Sequence, residues 1–573
     1  MTKHLLFLLS VAPFVQAAAP ALLQPFEGYS FGTLQEGAFL YADRNYQMHT
    51  PPDAIRGMNF LCAEIDGQLP VKVLREGLLT VLTPYEGSPY SQAPKLKELG
   101  FTLREDIPPF QPHSSNACDV TRVWQKNVQK GESFTLAKWA IIAGFDLSNQ
   151  SWKLSENVQK IIDKLQGTPY AQYANDIAIN RPDYLVFIPK QPMDISKRDI
   201  SKPGDTYNDH FQVIYKSQNQ MLFAFWTQAS RESEPDQHIA FAKSADKGRT
   251  WTEPVILAGS HNKKNPGLLA SWQQPMISKS GRIYCLWNQQ TTSAGPHCGQ
   301  MFGAFSDDDG ETWTPPKMVP MTVRMDNDPA NPLIPPSWCK WQRPLRLGQD
   351  GRYFVGVSRH GKAPYDEKYG CKIDFLQYDN IDDDPPVEKI HLTHFSTNRA
   401  ALTAPKLNDY EPAAEEAAIV KLPDGRLFAM MRSSCGSPLW SQSRDGGVTW
   451  EPTKQLKDRH GNPYKHPRSP CPLYDWKGCE AASGMYFALV HNTFDPSLPN
   501  AYQPRGPLYL IAGHFDPNAE QPIQFAEPKL FAPRKGGNSF YTSYTVIDGK
   551  GILWFPDKKF YLLGREIDES WFQ

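Results

Sequence analysis

Residues 244–251 (SADKGRTW), 306–313 (SDDDGETW) and 443–450 (SRDGGVTW) share the pattern S-x-D-x-G-x-T-W. In each segment the Asp side chain can accept hydrogen bonds from turn amides, and the Gly allows a positive φ. The Trp can pack beneath the turn. The pattern therefore predicts equivalent hairpin turns and, with them, a repeated all-β unit.

A second periodicity surrounds these turns. Pairs of apolar strands joined by a short turn recur six times, beginning near Gln212, Trp272, Trp341, Glu416, Tyr486 and Tyr541. The spacing of roughly 55–75 residues somewhat exceeds the ~40–50 residues of the smallest propeller blades. We therefore expect six blades. A further strand near residues 184–189 is expected to close the ring, which would remove its exposed sheet edges.

The turn segments resemble the Asp boxes, or BNR repeats, of the sialidase (neuraminidase) superfamily. In that family the boxes cap hairpins between the outer strands of a blade and are structural, so they receive no catalytic role. The resemblance covers residues 180–573. It implies an all-β fold in which residues 175–573 form a six-bladed β-propeller of the sialidase type that is the catalytic domain.

The N-terminal part carries no box. Residues 25–150 contain β-rich stretches such as VKVLREGLLTVLTPY (71–85) and GESFTLAKWAII (131–142). They predict an N-terminal β-sandwich accessory domain with a supporting role, joined to the propeller by a short helical link near residues 155–165. Residues 1–19 (MTKHLLFLLSVAPFVQAAA) are typical of a cleaved signal peptide, and predict a secreted or periplasmic protein.

The composition excludes several classes of function. The 60 basic and 61 acidic side chains give a net charge of -1, so no overall field attracts nucleic acid or an anionic membrane. No later apolar run approaches the ~18 residues of a membrane-spanning helix. The histidine and cysteine spacings match no metal site, and no phosphate or dinucleotide loop is present, so no metal or cofactor is expected. The nine cysteines are too few for a disulfide scaffold; Cys471 and Cys479 form the expected bridge.

The segment EEAAIVKLPDGRLFAMMR, residues 415–432, resembles a sialidase segment in which Glu precedes L-x-D-G and a strand that ends in Arg. The resemblance implies that Glu416 is the functional carboxylate, with Glu415 one residue out of register. Arg432 takes the place of a substrate-binding arginine. The alternative is a surface carboxylate and a strand-end cation without function.

Tyr541, in FYTSYTVIDGKG, resembles the tyrosine nucleophile of the family. A neutral phenol suits this role because the anomeric carbon of sialic acid bears a carboxylate, which would repel an anionic nucleophile. Glu416 would take the phenol proton. Tyr544 is the alternative tyrosine. Arg505 resembles a second arginine of the family, and the guanidinium groups of Arg432 and Arg505 would hold a carboxylate.

The acid/base is expected on a loop of the first blade. Asp236 precedes Ser244 of the first turn segment by eight residues, as the family's catalytic acid does. It would protonate the glycosidic oxygen and then activate water. Glu232 and Glu234 are nearby alternatives.

The family's first arginine is missing. The matching strand reads HFQVIYKS, with Gln212 in the arginine's place, and an amide can still donate a hydrogen bond to a carboxylate. Arg343 or Arg231 could supply a replacement guanidinium. Trp and Gln at the strand starts suit sugar stacking and hydroxyl bonding in a cleft, but a strand-start Trp is equally ordinary propeller core, the interpretation favoured for Trp272; the other residues of this kind are Gln273, Gln274, Trp341 and Gln342. His297, Arg359 and His360 are expected at the rim of the pocket or on the surface.

The resemblance implies an exo-acting, retaining sialidase whose partners are sialylated glycans or glycoproteins. Two alternatives remain open at this point. The first is a hydrolase or lyase for another acidic sugar, a ketodeoxy acid or a uronate, which Gln212 favours. The second is a non-catalytic propeller that binds glycans.

Overall fold

The computed structural model describes most of the chain, namely residues 21–42, 46–65, 68–113, 120–137, 139–146, 156–191, 199, 201–259, 269–292, 298–321, 324–325, 328–329, 331–361, 371–395, 401–410, 412–497, 505–537 and 540–573. The expected signal peptide and His297 lie outside these residues. Within them, no helix is long and apolar enough to cross a membrane.

Alternating burial defines the N-terminal domain. In the segment QLPVK, Leu69 and Val71 are buried while their neighbours face solvent, the pattern of a strand with one wet face. This strand pairs with one other and packs over a six-stranded sheet of order β1-β2-β8-β4-β6-β5. The elements are β1 Ser30–Thr33, β2 Asn59–Cys62, β3 Gln68–Lys72, β4 Gly77–Pro84, α1 Ala93–Glu98, β5 Thr102–Leu103, β6 Thr121–Val128, β7 Ser133–Ala137 and β8 Ile141–Ala143.

Two short helices connect this β-sandwich to the propeller. Helix α2 (Glu156–Leu165) buries Val158, Ile161 and Leu165, which lie on one helical face. Helix α3 (Ala174–Ala178) follows. Residues of both helices belong to a core cluster shared by the sandwich and the propeller, so the helical link expected near 155–165 is confirmed.

The propeller has six antiparallel blades around one axis. Blades one to four are β10-β11-β12-β13, β14-β15-β16-β17, β18-β19-β20-β21 and β22-β23-β24-β25; blade five contains β26–β30, and blade six is β31-β32-β33-β9. The strands are β9 Tyr184–Phe187, β10 Tyr207–Lys216, β11 Met221–Ala229, β12 His238–Ser244, β13 Val255–Gly259, β14 Ala270–Ile277, β15 Ile283–Gln290, β16 Gly299–Ser306, β17 Lys317–Met318, β18 Trp338–Cys339, β19 Tyr353–His360, β20 Cys371–Tyr378, β21 Leu392–Phe395, β22 Ala414–Lys421, β23 Leu427–Ser433, β24 Leu439–Ser443, β25 Lys454–Gln455, β26 Leu473–Asp475, β27 Met485–Val490, β28 Leu508–Phe515, β29 Ile523–Phe525, β30 Lys529–Ala532, β31 Ser543–Ile547, β32 Lys550–Asp557 and β33 Tyr561–Ile567.

Strand β9 closes the ring, as expected, by pairing with β33 through Leu562 opposite Phe187 and Gly564 opposite Tyr184. The all-β class and the six-bladed propeller with an N-terminal β-sandwich are therefore confirmed. Blade five begins earlier than predicted. Its innermost strand is β26, whose three residues are too few to show alternation in the sequence. Tyr486, which was expected to begin the blade, lies on the second strand, β27.

The S-x-D-x-G-x-T-W segments form the turns that the sequence predicts. In the first, Asp246 Oδ1 accepts from Thr250 N at 2.8 Å, and Ser244 Oγ accepts from Gly248 N at 2.9 Å. Gly248 has a φ of 88°, and a Cβ there would clash with Trp554. The other two segments repeat these bonds. All three turns join the third and fourth strands of a blade.

A bulge interrupts the innermost strand of blades one, two and four. In each bulge one non-glycine residue has a positive φ: His210 at 53°, Trp272 at 54° and Glu416 at 53°. Such bulges re-aim a side chain and commonly lie next to functional sites. All three lie near the start of the strand, at the same end of the propeller axis.

The predicted disulfide bridge is wrong. Cys471 and Cys479 are both buried free thiols. Cys471 precedes strand β26, whereas Cys479 follows it and lines a cavity at the other end of the axis. The strand between them keeps the two sulfur atoms apart.

Candidate active site

Three side chains from two blades form a closed hydrogen-bonded group. The Tyr541 hydroxyl donates to Glu416 Oε1 at 2.9 Å, and Arg432 Nη1 donates to Glu416 Oε2 and to the Tyr541 hydroxyl, both at 2.9 Å. The bulge of β22 turns Glu416 toward the axis, and Arg432 lies near the end of the neighbouring strand β23. All three residues are buried.

The tyrosine is protonated in this environment. Burial, reinforced by the charge of Glu416, raises the pKa of Tyr541 well above its ordinary value, although Arg432 and Arg505 oppose this shift. A neutral phenol beside a carboxylate can lose its proton to that carboxylate as its oxygen attacks an electrophile. This arrangement matches what an activated tyrosine nucleophile requires.

A second layer of charge lies behind this group. Glu415 accepts from Arg468 Nε at 3.1 Å and also from Arg468 Nη2, and Arg432 Nε lies 3.1 Å from Glu415 Oε2. Burial alone would raise the pKa of Glu415, but the charges of Arg432 and Arg468 outweigh it and hold this pKa well below its usual range. Glu415 therefore holds two guanidinium groups in place.

Arg505 reaches the same region from blade five. Its Nη2 donates to the backbone carbonyl of Arg468 at 3.0 Å. Burial and the nearby charge of Arg432 lower the pKa of Arg505, whereas Tyr541 and Glu416 raise it. Arg505, Arg432, Tyr541 and Glu416 are therefore close enough to influence one another's charge.

Blade one contributes a histidine that the sequence analysis missed. The ring of His210 lies 4.5 Å, centre to centre, from the ring of Tyr541. Trp272 Nε1, which can only donate, donates to His210 Nε2 at 3.0 Å, so the ring proton belongs to Nδ1. Burial, helped by the charge of Lys559, lowers the pKa of His210 to about 3. His210 is thus a neutral N–H donor, and its Nδ1 has no hydrogen-bond partner among the described residues.

A lysine from blade six also faces Tyr541. Lys559 Nζ lies 5.8 Å from the centre of the Tyr541 ring, 3.0 Å from Asp209 Oδ2 and 2.9 Å from Glu232 Oε2. Burial opposes the charged form of Lys559, but Asp209 and Glu232 outweigh it and raise its pKa. Burial raises the pKa of Asp209, while Lys559 brings that of Glu232 down to about 2 against the effect of burial.

The expected acid/base occupies a different place from the one proposed for it. Asp236 is buried, and its carboxylate accepts from Gly204 N at 2.8 Å and from Ser230 Oγ at 2.9 Å. These bonds pin the loop to the segment before β10. Glu232, named as an alternative, lies over the pocket instead, with a side chain that is 58% exposed. Glu234 pairs with Arg231 at 2.7 Å on the surface.

None of the three expected replacements for the first arginine faces Tyr541. Gln212 is buried and donates to the backbone carbonyl of Trp341. Arg231 is 71% exposed. Arg343 lines a cavity of about 840 Å³ at the opposite end of the axis, together with Tyr544, whose hydroxyl bonds the carbonyl of Trp476.

Arg359 and His360 are not rim or surface residues. Arg359 is fully buried because β19 is a central strand of its blade. Its guanidinium group pairs with Asp328 at 2.5 Å. The ligand atoms of His360, Cys371 and Glu415 lie within 4.8 Å of one another. A metal ion there would meet the two guanidinium groups that Glu415 already neutralises, so this cluster is a poor cation site.

The fold and the pocket define a class: an Asp-box β-propeller with a tyrosine, a carboxylate and arginines at one end of its axis. The model of the BNR repeat-like domain family matches residues 220–544, which is more than half of the chain. The chain belongs to this family. No curated protein matches the sequence.

Solved structures of similar fold include the NanB sialidase from Streptococcus pneumoniae, with 11% identity, a TM-score of 0.48, and 96% of this chain and 94% of that chain covered. A leech intramolecular trans-sialidase has 12% identity and a TM-score of 0.47, with the same coverage of 96% and 94%. A protein of unknown function from Dyadobacter fermentans has 14% identity and a TM-score of 0.42, and covers 64% of this chain and 95% of its own.

Proposed function

We propose that this protein is an exo-acting, retaining glycosidase that removes a terminal acidic sugar from glycans, with sialic acid as the expected sugar. One observation carries the proposal: the Tyr541 hydroxyl donates to Glu416 and accepts from Arg432, both at 2.9 Å, and all three side chains are buried. A binding propeller has no need of a tyrosine paired with a proton acceptor.

In the first step the Tyr541 oxygen attacks the anomeric carbon while Glu416 accepts the phenol proton. The glycosidic bond breaks, and the leaving oxygen takes a proton from an acid at the pocket mouth. In the second step water cleaves the glycosyl-tyrosine bond, its proton goes to that same mouth residue, and Glu416 returns a proton to the phenolate. Arg432 and Arg505 bind the sugar carboxylate.

Glu232 is the best candidate for the residue at the mouth. Both carboxylate oxygens of Asp236 are used in the loop, whereas Glu232 is exposed above the pocket. In the free protein its ion pair with Lys559 keeps Glu232 ionised. Glu232 can therefore act as an acid only when a substrate opens this ion pair.

A second candidate is a hydrolase or lyase for another acidic sugar. It is favoured by blade one, which offers the neutral residues His210 and Gln212 in the region where the family has its first arginine. A lyase needs a base, and His210 does not fit this role because its Nε2 lone pair accepts from Trp272. Tyr541 and Glu416 would have to take the proton.

The test is to incubate the protein with α2-3 and α2-6 sialyl-lactose and with glycans that end in a uronate or a ketodeoxy acid. Free sialic acid would support the first candidate. A released sugar of another mass would support the second, and a product that lacks the added water and absorbs ultraviolet light would identify a lyase. Binding without any turnover would refute both.

A further inference from the structure

The hairpin turn between β32 and β33 has an unusual backbone. It consists of Asp557, Lys558, Lys559 and Phe560, and Phe560 N donates to the carbonyl of Asp557 at 2.9 Å. Both central lysines have a positive φ, 57° and 52°. Gly, Asn or Asp normally occupies these positions, because other side chains are strained there. Strain of this kind persists only where surrounding contacts hold it, and it is often found at functional sites.

Buried ion pairs hold one side of the turn. Arg534 donates to both carboxylate oxygens of Asp557, at 2.8 and 2.9 Å, and to Asp176 Oδ1 of helix α3 at 2.7 Å. Lys558 Nζ lies 3.5 Å from Asp176 Oδ2 and 3.3 Å from the carbonyl of Tyr41. Tyr41 belongs to the N-terminal sandwich. That domain and helix α3 therefore fix the turn from outside the propeller.

The other side of the turn projects Lys559 into the pocket. Its two partners differ: Asp209 is fully buried, whereas the Glu232 side chain is 58% exposed on a loop. Lys559 Nζ donates to both carboxylate oxygens of Glu232, at 3.0 and 2.9 Å, and lies 3.0 Å from Asp209 Oδ2, so its three N–H groups are all engaged. Asp209 is thus the fixed partner of Lys559, and Glu232 is the partner that an incoming anion can displace.

The position of Lys559 fills a gap in the charge around Tyr541. Arg432 and Arg505 approach from blades four and five. On the blade-one side, residues 209–212 read DHFQ and carry no positive charge, because His210 is neutral. Lys559 lies on this side, against the face of the Tyr541 ring and next to Asp209 of β10.

We propose that Lys559 is a substrate-binding residue that exchanges its ion pair with Glu232 for one with the carboxylate of the acidic sugar. The exchange leaves Glu232 without its cation, so Glu232 takes up a proton from solvent and becomes the acid for the leaving oxygen. The other charged or titratable groups facing this pair among the described residues are Tyr207, Asp209, His210, Arg505 and Tyr541. This inference rests on the proposed function, because it places the ligand in the same pocket.

The first test measures binding of N-acetylneuraminic acid and of its methyl ester by calorimetry. In Lys559→Met the preference for the acid over the ester should fall at least tenfold, and Lys559→Arg should restore most of it. The matched control is Lys247→Met, which removes an exposed lysine paired with Asp548 in an Asp-box turn. The control should bind like the wild type.

The second test measures proton uptake on binding, from titrations in buffers of different ionisation enthalpy. At pH 5 the wild type should take up a measurable fraction of a proton with the acid, because loss of its lysine partner returns Glu232 toward the ordinary glutamate pKa of about 4.3, and Glu232→Gln should take up none. Because Lys559→Met leaves Asp209 buried without its cation, the double variant Asp209→Asn with Lys559→Met provides a second, charge-balanced comparison.

Wild-type preference for the acid in the double variant, or absence of proton uptake in the wild-type protein, would overturn the assignment of Lys559. The assignment would also be overturned if the wild type bound neither N-acetylneuraminic acid nor glucuronic acid. If the wild type binds an acidic sugar with the expected charge preference but hydrolyses no glycan, the proposed function fails while the role of Lys559 in binding stands.

Discussion

His210 and Glu416 occupy the same place in two different blades. Each is the positive-φ residue of a bulge, with a φ of 53°, near the start of the innermost strand. Both meet Tyr541: His210 through its ring at 4.5 Å, and Glu416 through a hydrogen bond of 2.9 Å. The bulges of blades one and four thus each bring one side chain to the tyrosine.

Tyr541→Phe and Glu416→Gln are each expected to lower kcat on an acidic glycan by about 10³-fold, because one removes the nucleophile and the other its proton acceptor. Tyr544→Phe is the matched control, since that hydroxyl bonds a carbonyl near the far cavity. Steady-state kinetics check this prediction. Near-normal turnover in Tyr541→Phe would contradict it.

Glu232→Gln is expected to reduce kcat by about 10²-fold or more, with unchanged thermal stability, because general acid–base residues contribute on this scale. Asp236→Asn should behave in the opposite way. It weakens the bonds to Gly204 and Ser230, and should lower the melting temperature more than it lowers kcat. Steady-state kinetics and melting curves of both variants check this prediction. A larger loss of kcat in Asp236→Asn than in Glu232→Gln would contradict it.

His210→Ala should raise the KM for an acidic sugar about tenfold, since hydrogen bonds to charged groups are worth about 1.5–3 kcal/mol. Trp272→Phe retains the imidazole but removes the N–H that fixes its tautomer, so it should have a smaller effect. Nitrogen NMR of selectively labelled histidine gives an independent measurement. A wild-type ring that carries its proton on Nε2 would rule out this assignment.

The protein is expected to lose stability as the pH falls from 7 to 5. Burial lowers the pKa of His113 and of His466 to about 4, and that of His210 to about 3. The unfolded chain, with histidine pKa values near 6.5, binds protons that the folded protein does not, so each group costs up to about 1.4 kcal/mol per pH unit across this window.

His113 offers the cleanest check, because it lies in the N-terminal domain and stacks on Tyr46 at 4.5 Å. His113→Phe keeps an aromatic ring at this position but cannot take up a proton. The melting temperature of this variant should therefore fall less between pH 7 and pH 5 than that of the wild type. Parallel curves for the two proteins would show that His113 does not titrate in this way.

The propeller could be predicted because its turn segments are local. Ser244, Asp246 and Gly248 make the bonds of their turn among themselves, so the motif alone specifies the shape. The free cysteines could not be predicted from spacing, because spacing does not reveal that a strand runs between Cys471 and Cys479.

The candidate site was predictable only in part. Family motifs mark four residues, so these could be named from the sequence: Glu416, Arg432, Arg505 and Tyr541. In blade one, Gln212 donates to the backbone carbonyl of Trp341, whereas His210, two residues earlier and inside the bulge, lies against Tyr541. The bulge that presents His210 has no sequence signal of its own.

Lys559 could not be predicted from the sequence for a different reason. Its turn contains neither Gly nor Asn, so no turn motif marks it. The backbone conformation depends on contacts such as the one between Arg534 and Asp176, which are 358 residues apart. Only the folded chain brings these groups together.

The pairing of β9 with β33 has a consequence for how the molecule is made. The Tyr184 hydroxyl donates to Glu566 Oε1 at 2.9 Å across 382 residues, so blade six closes only after β33 has been synthesised. Until then β9 and β32 are unpaired edges able to join other chains. A polypeptide that lacks β33 would therefore leave the ring open, with two strand edges exposed to pairing with other chains.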